Sequence, residues 1–119
     1  MKSGIVLFAH GSRDPEWARP FEAIRARLSQ AHAVRLAYLE AMRPTLAEAV
    51  ASLAGDGVTT LRVVPLFLGA GGHVREDLPR LIAAAQAAHP QVRILLEQPI
   101  GEQPGVIAAI AEAISSKGP

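Results

Sequence analysis

At 119 residues, half of them hydrophobic, the chain is long enough for one sizeable core and too short for a second. That apolar content excludes disorder, and a formal charge of +1 without a basic run leaves no electrostatic footprint for nucleic acid. The absence of cysteine excludes a disulfide framework, a thiolate metal site and a cysteine nucleophile, and a cytoplasmic protein is the expectation.

The chain opens on Ile5 to Ala9, a contiguous apolar run that reads as a fully buried first strand. It is too short for a signal sequence, and no run approaches the ~20 residues of a membrane span. Phe21, Ile24 and Leu28 then recur at helical spacing. The helix they mark starts nearer Pro20 than Pro15, which leaves Arg13 to Arg19 as a loop or a single turn. Val34 to Leu39 is a second strand, and Leu46, Val50 and Leu53 stripe a second helix. Leu61 to Leu68 is the third and most hydrophobic strand, with its pairing expected to break at Pro65. A long loop from Gly69 to Asp77 leads to a helix striped by Leu78, Leu81, Ile82 and Ala85. Val92 to Leu96 is the fourth strand, and Ile107, Ile110, Ala111 and Ile114 mark the last helix. Pro44, Pro79 and Pro104 stand near the starts of the later helices, and residues 116–119 read as a frayed tail.

Strands alternating with helices predict an α/β domain over residues 1–119. Right-handed crossovers suit a flavodoxin-like open parallel sheet of four strands, order 2-1-3-4, with helices on both faces. In that order the first and third strands are neighbours, and the topological switch point lies between them. Ligands of open α/β sheets bind there, outside the carboxyl ends of the strands.

Two histidines fall at that point. His10 follows the first strand directly, and His73 follows the third through a loop containing Gly69, Gly71 and Gly72. Two converging imidazoles are what a divalent transition metal asks for, and glycines let a ligand approach the backbone closely. Glu40, after the second strand on the same rim, is either a third ligand or a general base. His32 and His89 fall between a helix and the next strand, at the opposite end of the sheet, and read as solvated loop residues.

Arg13, Arg43 and Arg75 occupy the first three strand-to-helix loops, one in each. Together with helix N-termini they ring the rim with positive charge on a near-neutral protein, which suits a substrate with several carboxylates. No phosphate loop, dinucleotide fingerprint or nucleophile elbow is present, so no nucleotide is expected.

These segments resemble the small class II sirohydrochlorin chelatases of the short CbiX type, relatives of the SirB siroheme ferrochelatases. The likeness runs through Ala9-His10-Gly11-Ser12-Arg13, Leu39-Glu40 with Pro44, and Val64-Pro65-Leu66-Phe67-Leu68. It continues through Gly72-His73-Val74, Glu76-Asp77-Leu78-Pro79 and Pro99-Ile100-Gly101. The resemblance implies a half-size chelatase domain that works as a homodimer, and composition adds the expectation of no nucleic-acid or membrane partner. The implied reaction inserts a divalent metal into sirohydrochlorin without ATP, in tetrapyrrole biosynthesis of the cobalamin or siroheme kind. Cobalt is the first expectation for the metal, with Fe2+ and Ni2+ as the others. By the same resemblance His10 and His73 bind the metal, and Glu40 completes the set. Arg13, Arg43 and Arg75, with Gly71 and Gly72, are read as the substrate-binding residues.

Two rivals remain at this level. One is a chelatase-like domain that binds metal or tetrapyrrole without turnover. The other is a phosphohistidine enzyme, which places arginine before its strand-end histidine, where Ala9 stands here.

Overall fold

Strand β1 (Lys2–Ala9) runs through the middle of a four-stranded, wholly parallel sheet in the order β2-β1-β3-β4. This is the order expected from the alternation of strands and helices. The computed structural model describes residues 2–69 and 71–117. Within them lie β2 (Ala33–Tyr38), β3 (Val58–Pro65) and β4 (Arg93–Leu96), with helices α1 (Arg19–Leu28), α2 (Leu46–Gly55), α3 (Gly72–Ala88) and α4 (Pro104–Ser115). Short 3-10 turns at Pro15–Ala18 and Ile100–Glu102 precede α1 and α4.

A strand paired on both sides and covered on both faces has no side for a polar residue, which is why β1 is apolar from Ile5 to Ala9. Val6 and Phe8 face one layer, built with Leu61 and Val63 of β3, Val50 and Leu53 of α2, and Leu78 of α3. Ile5, Leu7 and Ala9 face the other, with Val34, Leu36 and Tyr38 of β2 and Val64 of β3, under Trp17 and Phe21. The side-chain amide of Gln86 ties the end of α3 to the sheet: it donates to the Val92 carbonyl and accepts from the Ile94 N–H at 3.1 Å.

Several boundaries differ from the sequence expectation. β3 spans Val58–Pro65 rather than 61–68, and Pro65, in register with Phe8, ends the ladder instead of interrupting it. The apolar residues beyond Pro65 belong to a loop packed on the sheet end, where Leu66 donates its N–H to the Phe8 carbonyl. The Gly69–Asp77 loop is shorter than expected, because α3 already begins at Gly72 and holds Pro79 in its interior. Proline there removes one helical hydrogen bond at a cost of about 3 kcal/mol. The apolar stripe reaches back through Leu78 to Val74, and burying that extra turn offsets the cost. The 3-10 turn at Pro15–Ala18, followed by α1 with Pro20 in its first turn, matches the expected late start of that helix. Of the expected frayed tail, Ser116 and Lys117 still bond back onto α4, whereas residues 118–119 lie outside the described residues.

Helix α2 starts on a capping box. The Thr45 side chain accepts from the Glu48 N–H, and the Glu48 carboxylate accepts from the Thr45 N–H. Arg43 closes on the same carboxylate through Nε and its terminal nitrogen. That guanidinium, followed by the Thr45 backbone bond, holds the Glu48 carboxyl down to about 2, from an ordinary value of 4.5. A depressed carboxyl stabilises the fold fully above 4.5 and stops doing so as the pH falls through 4.5 towards 2. In a pH series of thermal melts, the gap between wild type and Glu48→Gln should therefore close across that window. Thr45→Ala should cost about 1 kcal/mol at neutral pH in chemical denaturation.

Candidate functional site

The rim at the carboxyl ends of the strands is a set of loops hydrogen-bonded to one another. Ala9 is fully buried, and His10 is the first exposed residue after it. The β1–β2 ladder continues past both strands: Leu39 donates to the Ala9 carbonyl and Glu40 to the His10 carbonyl, each at 3.0 Å. The backbone thereby holds His10 and Glu40 side by side. Their side chains meet, with His10 Nε2–H donating to Glu40 Oε1 at 2.6 Å.

Gly11 makes this approach possible. Its φ is +100°, a conformation that disfavours side chains, and a Cβ there would lie 1.8 Å from the Glu40 carbonyl oxygen. Gly101 does the same across the rim. Its N–H donates to the Phe67 carbonyl at 2.9 Å, and a Cβ there would lie 2.2 Å from the Leu68 backbone. The β3–α3 loop is thus clamped onto the segment after β4. Neither clamp is legible in the sequence, since close approach of two loops leaves no mark in the residues of either.

His10 and Glu40 are about half exposed, with side-chain exposures of 49% and 62%. An exposed polar contact of this kind contributes little to stability, so its interest is chemical. A carboxylate beside an imidazole puts a proton acceptor next to a nitrogen able to bind a metal. Two ligands of one tetrahedral ion with bonds of ~2.1 Å sit about 3.4 Å apart, so the pair must open by under about 1 Å to share one.

His73 is the second residue of α3 and exposed, and its side chain makes no hydrogen bond among the described residues. It lies in a helical turn rather than in the expected loop. The structure brings His10 and Glu40 together but leaves His73 apart: among the described residues, no three His, Cys, Asp or Glu side chains are grouped to hold a metal ion. Gly71 is the N-cap of α3 and provides no side-chain cap, so the first amides of that helix are open at the rim.

The three arginines are not equivalent. Arg43 is committed to Glu48, and the first turn of α2 is closed by Thr45. Arg13 is exposed on the β1–α1 loop and has no ion pair among the described residues. Arg75 is exposed in the first turn of α3, its N–H donating to the Gly71 carbonyl. His32 and His89 lie at the opposite end of the sheet, in the connections before β2 and β4.

A family model described as CbiX matches residues 4–117. A sirohydrochlorin cobaltochelatase of Methanosarcina acetivorans is 38% identical over 85 residues, and the match spans 69% of this chain and 65% of that relative's length. Among solved structures, a CbiX protein of Marinobacter aquaeolei ascribed to cobalamin biosynthesis superposes with a TM-score of 0.88 at 36% identity. That match covers 98% of this chain and 95% of the other. The sirohydrochlorin chelatase SirB of Bacillus subtilis, solved with cobalt, gives 0.82 at 28% identity, over 98% of this chain and only 51% of that one.

The glycine clamp can be tested directly. Gly11→Ala should destabilise the protein by more than about 1 kcal/mol and loosen the His10–Glu40 pair, because the new methyl group drives the Glu40 backbone away. Gly69→Ala meets nothing within 4 Å and should leave both unchanged. Denaturation curves and the NMR shifts of the His10 imidazole report the two effects.

Proposed function

The chain belongs to the CbiX family, and from that premise we propose that it inserts a divalent metal into sirohydrochlorin without a nucleotide, in the cytoplasm. Cobalt is the metal we favour, supported by the relative named a sirohydrochlorin cobaltochelatase and by the cobalt in the SirB structure. Iron and nickel are the alternatives, since imidazole and carboxylate donors accept all three. The observation that carries the proposal is the exposed His10–Glu40 pair at the switch point, 2.6 Å apart and set there by the backbone.

In this reading His10 and His73 hold the incoming ion as neutral imidazoles, with positions left open for the macrocycle. His73 joins the pair from the first turn of α3. Insertion forms bonds from the metal to the pyrrole nitrogens and releases two N–H protons. Glu40 accepts one, and an imidazole vacated by the ion can take the other. Coordination through His10 Nε2 requires the neutral tautomer that carries its proton on Nδ1, so the ring keeps one N–H when it binds.

Sirohydrochlorin carries eight carboxylates, which need a positive rim on a chain of net charge +1. Arg13, Arg75 and the uncapped start of α3 supply it, with Gly71 and Gly72 leaving the approach open. Arg43 contributes less, because Glu48 already neutralises it. One rim of this size faces only one side of a flat four-ring macrocycle, and we assign the active form to a homodimer.

An anaerobic assay with Co2+ and sirohydrochlorin, followed by absorbance, tests these roles. His10→Ala and His73→Ala should each lower the insertion rate at least about 100-fold, while exposed-site stability changes stay within about 0.5 kcal/mol. Normal rates in both variants would contradict the proposal. Arg13→Ala and Arg75→Ala should mainly raise KM and flatten its salt dependence.

A further inference from the structure

The residue directly after Glu40 is the one non-glycine residue with positive φ among the described residues. Ala41 has φ +65°, and the Met42 N–H donates across it to the Glu40 carbonyl at 2.8 Å. A hydrogen bond that spans a single residue of positive φ closes a γ-turn of the rare, strained hand. Ala41 is exposed, so burial of its methyl group does not explain the conformation.

The residues on either side explain it. Upstream, Glu40 donates its N–H to the His10 carbonyl, and its own carbonyl oxygen faces Gly11, where a Cβ would come within 1.8 Å. Downstream, Met42 packs against the layer that contains Leu36, Tyr38 and Val64. The Pro44 carbonyl then accepts from the Tyr38 N–H at 2.9 Å. The chain therefore leaves the end of β2 and turns back onto it with one free residue between two anchors. A γ-turn is the shortest reversal that keeps a hydrogen bond. Strain of this kind persists only where its surroundings over-determine it, and it gathers at functional sites.

We propose that Ala41 is a positioning residue for Glu40, its γ-turn fixing the carboxylate beside His10 as the proton acceptor. The inference rests on the acceptor role given to Glu40 above and adds what holds that residue in place. With its N–H tied to His10 and its carbonyl to Met42, Glu40 keeps little backbone freedom. Rotation about its side-chain bonds alone carries the carboxylate between the His10 imidazole and a macrocycle N–H. A carboxylate on a free loop would spread over many positions in water, whereas one on a fixed backbone is concentrated where the proton leaves.

Nuclear magnetic resonance of the full chain, read beside the anaerobic Co2+ insertion assay, tests this. In wild type the Met42 N–H should show the low temperature coefficient of a bonded amide. A solvent-like value overturns the turn whatever the variants do. Ala41→Gly, the conservative variant, allows positive φ without strain, so it should melt no lower and keep the His10 imidazole resonances. Ala41→Val does not allow it, because a β-branched residue at positive φ is an outlier. Its His10 resonances should move towards those of Glu40→Ala, and kcat should fall about 10-fold with KM for sirohydrochlorin unchanged. A valine variant with wild-type resonances overturns the proposal, as does a glycine variant that shifts them. Shifted resonances in the valine variant with an unchanged kcat uphold the positioning and overturn instead the acceptor role of Glu40.

Discussion

The site depends on one constraint: β1 is hydrogen-bonded on both sides to the last residue before the rim. Its pairing with β2 continues through Leu39 and Glu40, and its pairing with β3 closes at Leu66 on the Phe8 carbonyl. His10 is therefore the first residue after β1 whose side chain is free to do chemistry, and its backbone has almost no freedom. The side chain that it meets, Glu40, is fixed by the same ladder. A proton-sharing pair in open solvent is weak by itself, so the backbone and not the polar contact sets its geometry.

The two loops could not close onto each other with a side chain at residue 11, nor the β3–α3 loop onto the chain after β4 with one at residue 101. These contacts turn separate connections into one continuous rim. The arrangement divides labour between its two halves. On the β1–β2 side the donors are already in contact. On the β3–α3 side His73 sits in the first turn of a helix without a side-chain cap, two residues before Arg75.

Much of this was legible in the residues. Ile5 to Ala9 is contiguous because both faces of β1 are buried, and the histidine at its end follows from that boundary. The strand order followed from the alternation of elements. The end of β3 was not legible, because Leu66, Phe67 and Leu68 continue the hydrophobic run while serving as loop packing. The start of α3 was hidden by Pro79, read as a first-turn proline although the stripe from Val74 to Ala85 carries the helix through it. Arg43 looked equivalent to Arg13 until Glu48, five residues on, proved to be its partner. The position of α4 was least legible of all. Its apolar period is that of a core helix, and only the structure shows that its own sheet leaves it uncovered.

The central claim is that one ion is shared by His10 and His73 beside Glu40. X-ray absorption at the cobalt edge of Co2+-loaded protein measures this most directly. The account predicts two imidazoles in the first shell at about 2.1 Å, falling to one in His73→Ala and one in His10→Ala. A shell with fewer than two imidazoles in wild type, or one unchanged by His73→Ala, would contradict it.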